Sequence, residues 1–131
     1  MKKTRLLNIA LSQVIASLGH TDMLVIGDAG LPISDQTQRI DLALTAGIPG
    51  FADTLRVILT EMQVERAFVA AETQRTSSNV MMAIKELLPD TPIETISHED
   101  LKAMSREARA VVRTGEFTPY ANIILVSGVV F

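Results

Sequence analysis

The 131-residue chain contains no cysteine. That absence removes disulfides, thiolate nucleophiles and thiolate-ligated metals together. No run reaches the ~18 apolar residues that a membrane-spanning helix needs, so no membrane partner is expected. Basic residues are few, 12 against 15 acidic, and scattered, with a net charge of −3 and a pI near 5.3. Nucleic acid is therefore not an expected partner. Phosphate-cradling motifs are missing as well. Gly27-Asp-Ala-Gly30 lacks the third glycine of a dinucleotide fingerprint, and neither a Walker sequence nor a nucleophile elbow occurs. Histidine occupies two positions and tyrosine one, so each can be weighed singly. Two histidines without an evident third ligand do not make a metal site.

What the chain has in quantity is apolar residues, 47% of the total, with a mean hydropathy of +0.27. Part of that surplus is expected to lie between subunits. The length predicts one domain, residues 1–131, with a sizeable core and no internal repeat or linker. The opening Met-Lys-Lys-Thr-Arg-Leu-Leu superficially resembles a secretory leader. Asn8, Ser12 and Gln13 interrupt it, however, and Leu7, Leu11, Val14 and Leu18 recur at helical spacing. An amphipathic helix is predicted there, closed by a left-handed Gly19.

Strand-like and helical segments then alternate. Met23–Ile26, Ile40–Leu44, Ala67–Ala71, Ile93–Ile96, Ala110–Val112 and the run after Asn122 read as strands. Phe51, Leu55, Ile58, Leu59 and Met62 form a helical stripe. Further helices are predicted from about Ser77 to Leu88 and after the capping-box-like Ser97-His-Glu-Asp100. The alternation predicts an α/β fold, a three-layer domain whose largely parallel sheet is flanked by helices. Ligands of such sheets sit beyond the carboxyl ends of the strands. Asp28 and His98 follow strands; Tyr120 precedes one.

The polar residues with chemistry gather in a few loops. His20 lies at a helix exit, where an imidazole can hydrogen-bond the last carbonyls or serve as general acid or base. Asp28 sits in Gly-Asp-Ala-Gly-Leu-Pro, where Asp can stabilise a turn or hold two vicinal hydroxyls. A phosphoacceptor role is disfavoured, because Gly27 stands where an acidic neighbour belongs. His98 is either an exposed first-turn residue or a donor and acceptor to sugar hydroxyls. Tyr120, stiffened by Pro119, either packs its ring or orients a sugar. The Tyr-Ala-Asn122 spacing would turn both polar side chains to one face of an extended segment. Arg113 and Glu116 are expected to pair and support this loop. Two such loops of mixed polar chemistry suggest a site for a small polyhydroxylated ligand.

Leu-Gly-His-Thr-Asp22, Asp-Ala-Gly-Leu-Pro32, Ile-Asp-Leu-Ala-Leu44, Ser-His-Glu99 and Arg-Thr-Gly-Glu-Phe-Thr-Pro-Tyr-Ala-Asn122 resemble, in order, the motifs of the D-ribose pyranase family, related to the L-fucose mutarotases. The resemblance spans the whole chain, and its last motif is long and specific. It implies a cytoplasmic, cofactor-free isomerase that interconverts pyranose and furanose D-ribose, built as a homo-oligomer of two stacked pentameric rings. By motif match, His20 would be the catalytic proton donor. Asp28, His98, Tyr120, Ala121 and Asn122 would bind the sugar, Ala121 through its backbone. Ribokinase and a ribose importer would be pathway neighbours. Ile9 and Thr73-Gln-Arg75 depart from the pattern, at places expected to lie away from the site. Alternatives are a mutarotase for another sugar such as L-fucose and a noncatalytic sugar-binding accessory of a transporter.

Overall fold

A computed structural model describes all residues 1–131. Six strands, β1 (Met23–Gly27), β2 (Gln38–Asp41), β3 (Val64–Ala70), β4 (Ile93–Ile96), β5 (Ala110–Arg113) and β6 (Ile123–Ser127), form one sheet in the order β2-β5-β1-β6-β3-β4. The β2–β5, β5–β1 and β3–β4 pairs are parallel, and only β6 runs against its neighbours β1 and β3. The predicted α/β, largely parallel sheet is therefore the architecture found.

Side-chain alternation divides the sheet cleanly into two buried faces. Leu24, Ile26, Ala67, Val69, Ala110, Val112, Ile123 and Leu125 pack against helices α1 (Ile9–Ser17), α2 (Phe51–Ile58) and α4 (Ser78–Leu87). Val25, Phe68, Ala70, Val111, Ile124 and Val126 face Leu31 and Leu101, the latter on α5 (His98–Ser105). Two cores thus flank one sheet, and this double burial explains why the strand sequences read as continuous apolar runs.

Side-chain caps start two of the five helices. The Asn8 side chain accepts the Leu11 N–H at 2.9 Å, and the Ser97 hydroxyl accepts the Asp100 N–H at 3.1 Å. Both are ordinary N-caps. Because α1 starts after Asn8, Leu7 is off its face and exposed, and Leu6 is buried instead. Gly19 is not the left-handed residue; the helix ends at Leu18 in extended backbone, and Thr21 takes φ 72°. Strand β2 stops at Asp41 rather than Leu44, since the Asp41 carboxylate accepts the Ala43 N–H and turns the chain. A short helix, α3 (Ala71–Thr76), follows β3 directly and was not evident in the periodicity.

Candidate active site

Five strands point the same way, so the segments after β2, β5, β1, β3 and β4 share one edge. Antiparallel β6 starts at that edge, which brings the residues before it to the same place. Asp28, Asn122, Glu72, His98 and Arg113 therefore line one rim. Its centre is a two-way clasp. The Asn122 carbonyl oxygen accepts the Asp28 N–H at 2.9 Å, and the Asn122 amide donates to Asp28 Oδ2 at 3.1 Å. Asn122 is fully buried. Its side chain holds the Asp28 carboxylate rather than standing beside the Tyr120 side chain. The cause is backbone geometry: Tyr120 adopts φ 60°, not the extended form the Tyr-Ala-Asn spacing suggested. Gly27 is required by the same clasp, because a Cβ there would lie 3.1 Å from the Asn122 oxygen and 2.7 Å from Leu31.

Tyr120 and His98 meet across the rim. Their rings stand edge to face, 5.0 Å apart at 83°, a favourable aromatic arrangement. His98 Nδ1 is the one buried side-chain polar atom in the protein without a hydrogen-bond partner. An orphan of this kind calls for a ligand or another explanation. The His98 N–H donates to Glu72 Oε2 at 3.0 Å, so the start of α3 anchors the start of α5. Thr73 Oγ1 donates to the Tyr120 carbonyl at 2.7 Å, and Ser77 Oγ to the Pro119 carbonyl at 2.5 Å. The Thr73 departure from the family pattern thus touches the site after all. Buried Thr73 came to the turn because β3 and β6 are neighbours in the sheet.

Arg113 and Glu116 do not pair with each other. Arg113 bridges the Asp41 carboxylate at 3.0 Å and the Ala29 carbonyl at 3.0 Å, tying the Asp28 turn to β2. Glu116 accepts the Phe51 N–H at the start of α2 and the Thr118 hydroxyl. Burial pushes the Glu116 carboxyl up, but these hydrogen bonds outweigh it and hold its pKa below the usual glutamate range. A cavity of about 390 Å³ opens here, lined by Asp28, Arg113, Glu116 and exposed Phe117 among others. A larger one, about 600 Å³, lies between Pro32–Ser34 and α5 and includes none of the candidate catalytic or sugar-binding residues.

His20 is elsewhere. It precedes β1, whereas Asp28 follows it, so the two occupy opposite ends of the same strand. Asp28 is six residue steps beyond Asp22, which at ~3.3 Å per residue places the ends on the order of 15–20 Å apart. No pentose spans that distance. The His20 Nε2 lies 2.7 Å from Glu65 Oε2, at the start of β3. Thr21 beside it holds a left-handed conformation that costs a β-branched residue roughly 1–3 kcal/mol. Backbone bonds with Ser127, at 2.9 and 2.8 Å, keep the turn in place. Sequence reasoning missed the roles of Glu65 and Glu72 altogether and placed Thr73 away from the site. Glu65 and Glu72 are ordinary acidic residues in sequence, and only their cross-sheet partners distinguish them.

The comparisons with known proteins agree with this architecture. A protein from Chloroflexus aggregans named D-ribose pyranase is 64% identical over the full length of both chains. Another of that name from Clostridium perfringens is 59% identical, again over both full lengths. The solved structure of Bacillus subtilis RbsD complexed with D-ribose superposes with a TM-score of 0.97, at 47% identity and complete coverage of both chains. The fucose mutarotase of Streptococcus pneumoniae in complex with L-fucose gives a TM-score of 0.81 at 25% identity, covering 95% of this chain and 94% of that one. The sequence pattern of the RbsD / FucU transport protein family matches residues 1–130. With the fold, the motifs and the length all in agreement, the chain belongs to the RbsD / FucU transport protein family.

Proposed function

We propose that this protein is a D-ribose pyranase, interconverting the six- and five-membered ring forms of the sugar. The observation that carries the reading is the convergence of Asp28, His98 and Tyr120 on one sheet edge, in a chain 64% identical to a protein of that name. Asp28 accepts hydrogen bonds from sugar hydroxyls. Asn122 sets its carboxylate, the orphaned His98 Nδ1 takes a further hydroxyl, and Tyr120 and the Ala121 backbone complete the contacts. His20 donates a proton to the ring oxygen as the anomeric carbon–oxygen bond opens, and the anomeric hydroxyl loses one. Attack of the 4-hydroxyl on the aldehyde reverses the traffic, so the protein ends each cycle in its starting protonation state. This needs neither hydride nor phosphate transfer. Positioned acid–base groups contribute roughly 10²–10⁴ in rate, a useful gain for a reaction that also proceeds in water.

Since His20 and Asp28 occupy opposite ends of β1, one complete site takes His20 from one protomer and the rim from another. A homo-oligomer, on this reading two stacked pentamers, is then a condition of activity, and it accommodates exposed Leu44, Ile48, Met82, Val130 and Phe131. Subunits carrying His20→Ala mixed with subunits carrying Tyr120→Phe should regain activity, whereas subunit-local sites would give no rescue. No helix is long and apolar enough to cross a membrane; the reading places the protein in the cytoplasm, which cell fractionation checks. The decisive assay is NMR exchange spectroscopy of the anomeric signals of D-ribose, with L-fucose in parallel. Faster pyranose–furanose exchange that vanishes in His20→Ala supports the proposal. Acceleration of fucose alone would make the protein a mutarotase of another sugar, and binding of ribose without acceleration would leave a sugar-binding accessory.

A further inference from the structure

We propose that Glu65 is the positioning residue of His20, holding the imidazole through Nε2 so that Nδ1 is the atom that transfers the proton. The inference rests on the reading of His20 as the acid of ring opening. Three observations converge on it. First, the Nε2–Oε2 separation of 2.7 Å lies at the short end for a nitrogen donor, as expected when the acceptor is a carboxylate. The bond joins residues 45 apart in sequence, so it is a product of the fold and not of a local turn.

Second, the alternative carboxylate is already engaged. Asp22, two residues from His20, accepts the Gly19 N–H at 2.8 Å and stands 3.9 Å from Arg109. Glu65 is the sole charged group that bonds the ring, and Nδ1 has no protein partner. The ring is about half exposed, with 54% of its side-chain surface accessible, so a ligand can reach the imidazole. Third, the backbone around both residues is fixed. Left-handed Thr21 is tied to Ser127, and Gly128 N–H bonds the Gln63 carbonyl. A Cβ on Gly128 would approach Glu65 Cβ to 3.1 Å. Glycine at that position gives the glutamate room to stand against the His20 turn.

With Nε2–H donating to Glu65, the neutral ring bears its lone pair on Nδ1 and the imidazolium bears a proton there. The same nitrogen can then release a proton to the ring oxygen and recover one on reclosure. Without Glu65 the ring is free to rotate and to exchange tautomers, and part of the population presents the wrong atom.

Long-range ¹H–¹⁵N NMR of the whole protein reads the tautomer directly, and ribose exchange reads the rate. Wild type should show His20 protonated at Nε2. Glu65→Ala should show mixed tautomers, with kcat lower by roughly 10- to 100-fold, the scale of a misoriented catalytic group, and KM nearly unchanged. Glu65→Gln, whose side-chain oxygen still accepts from Nε2, should restore the single tautomer and most of kcat. An unaltered tautomer and kcat in Glu65→Ala, with His20→Ala inactive, overturns the inference and leaves the proposed function standing. Full activity in His20→Ala overturns the role of His20 as the acid, and this inference with it, while absence of ribose exchange by wild type overturns the proposed function itself. Should Glu65→Ala fail to assemble, the wild-type spectrum still decides, because protonation at Nδ1 excludes the assignment.

Discussion

Removing the Asn122 side chain should show how far the Asp28 site depends on one buried amide. Asn122→Ala deletes two hydrogen bonds: the one from the Asp28 N–H at 2.9 Å and the one to Asp28 Oδ2 at 3.1 Å. The first is neutral and contributes about 1 kcal/mol net, while the second, to a charged group, contributes about 1.5–3 kcal/mol. The sum is about 2–4 kcal/mol before any cavity cost. For a chain of this size each kcal/mol shifts Tm by about 3–5 °C, so a fall on the order of 6–20 °C is expected. In the proposed site the released carboxylate loses its fixed aim, and KM for ribose should rise more than kcat falls. Asn122→Asp is the sharper variant. It keeps the acceptor for the Asp28 N–H but sets a second carboxylate where the amide donated. That penalty should be largest at neutral pH and shrink in acid as the pair takes up a proton. Urea denaturation at fixed protomer concentration measures both variants. A loss below about 0.5 kcal/mol for Asn122→Ala, or wild-type stability of Asn122→Asp at pH 7, would refute the clasp.

Other expectations follow from single contacts. A Cβ on Gly115 would lie 2.5 Å from both the Ile48 and Thr45 carbonyl oxygens, so Gly115→Ala should cost about 1–3 kcal/mol by overpacking, read by thermal denaturation. Glu116 has a folded pKa below its ordinary value of 4.5, so its contribution to stability is present above that value and is lost as pH falls through the lower folded one. Between those limits wild type should lose stability with acid more steeply than Glu116→Gln, which a pH series of urea midpoints will show. Arg113→Met cuts the bridge between Asp41 and the Ala29 carbonyl; it should loosen the Asp28 turn and raise KM for ribose severalfold, with equal KM counting against that role.

Much of this protein was legible in its residues alone. The apolar strands, the Ser97 cap, the α2 stripe and the α/β alternation are determined by local rules, namely period, burial and side-chain competition for backbone groups. Those rules act over a few residues, so they place elements well and partners poorly. Arg113 was read as the mate of Glu116 in support of one loop, yet strand pairing delivered it to Asp41, 72 residues away. Asn122 was read beside Tyr120, and the left-handed Tyr120 turned it inward to Asp28, 94 residues distant. The reversal of β6 was the decisive tertiary event. It carried a turn that precedes its strand to the edge where the other loops follow theirs, and so assembled Asp28, His98 and Tyr120. It also left His20 with Glu65 at the far edge. The motifs named the groups with chemistry; only the order and direction of the strands decided which of them share an end of the sheet, because that depends on pairings between segments tens of residues apart.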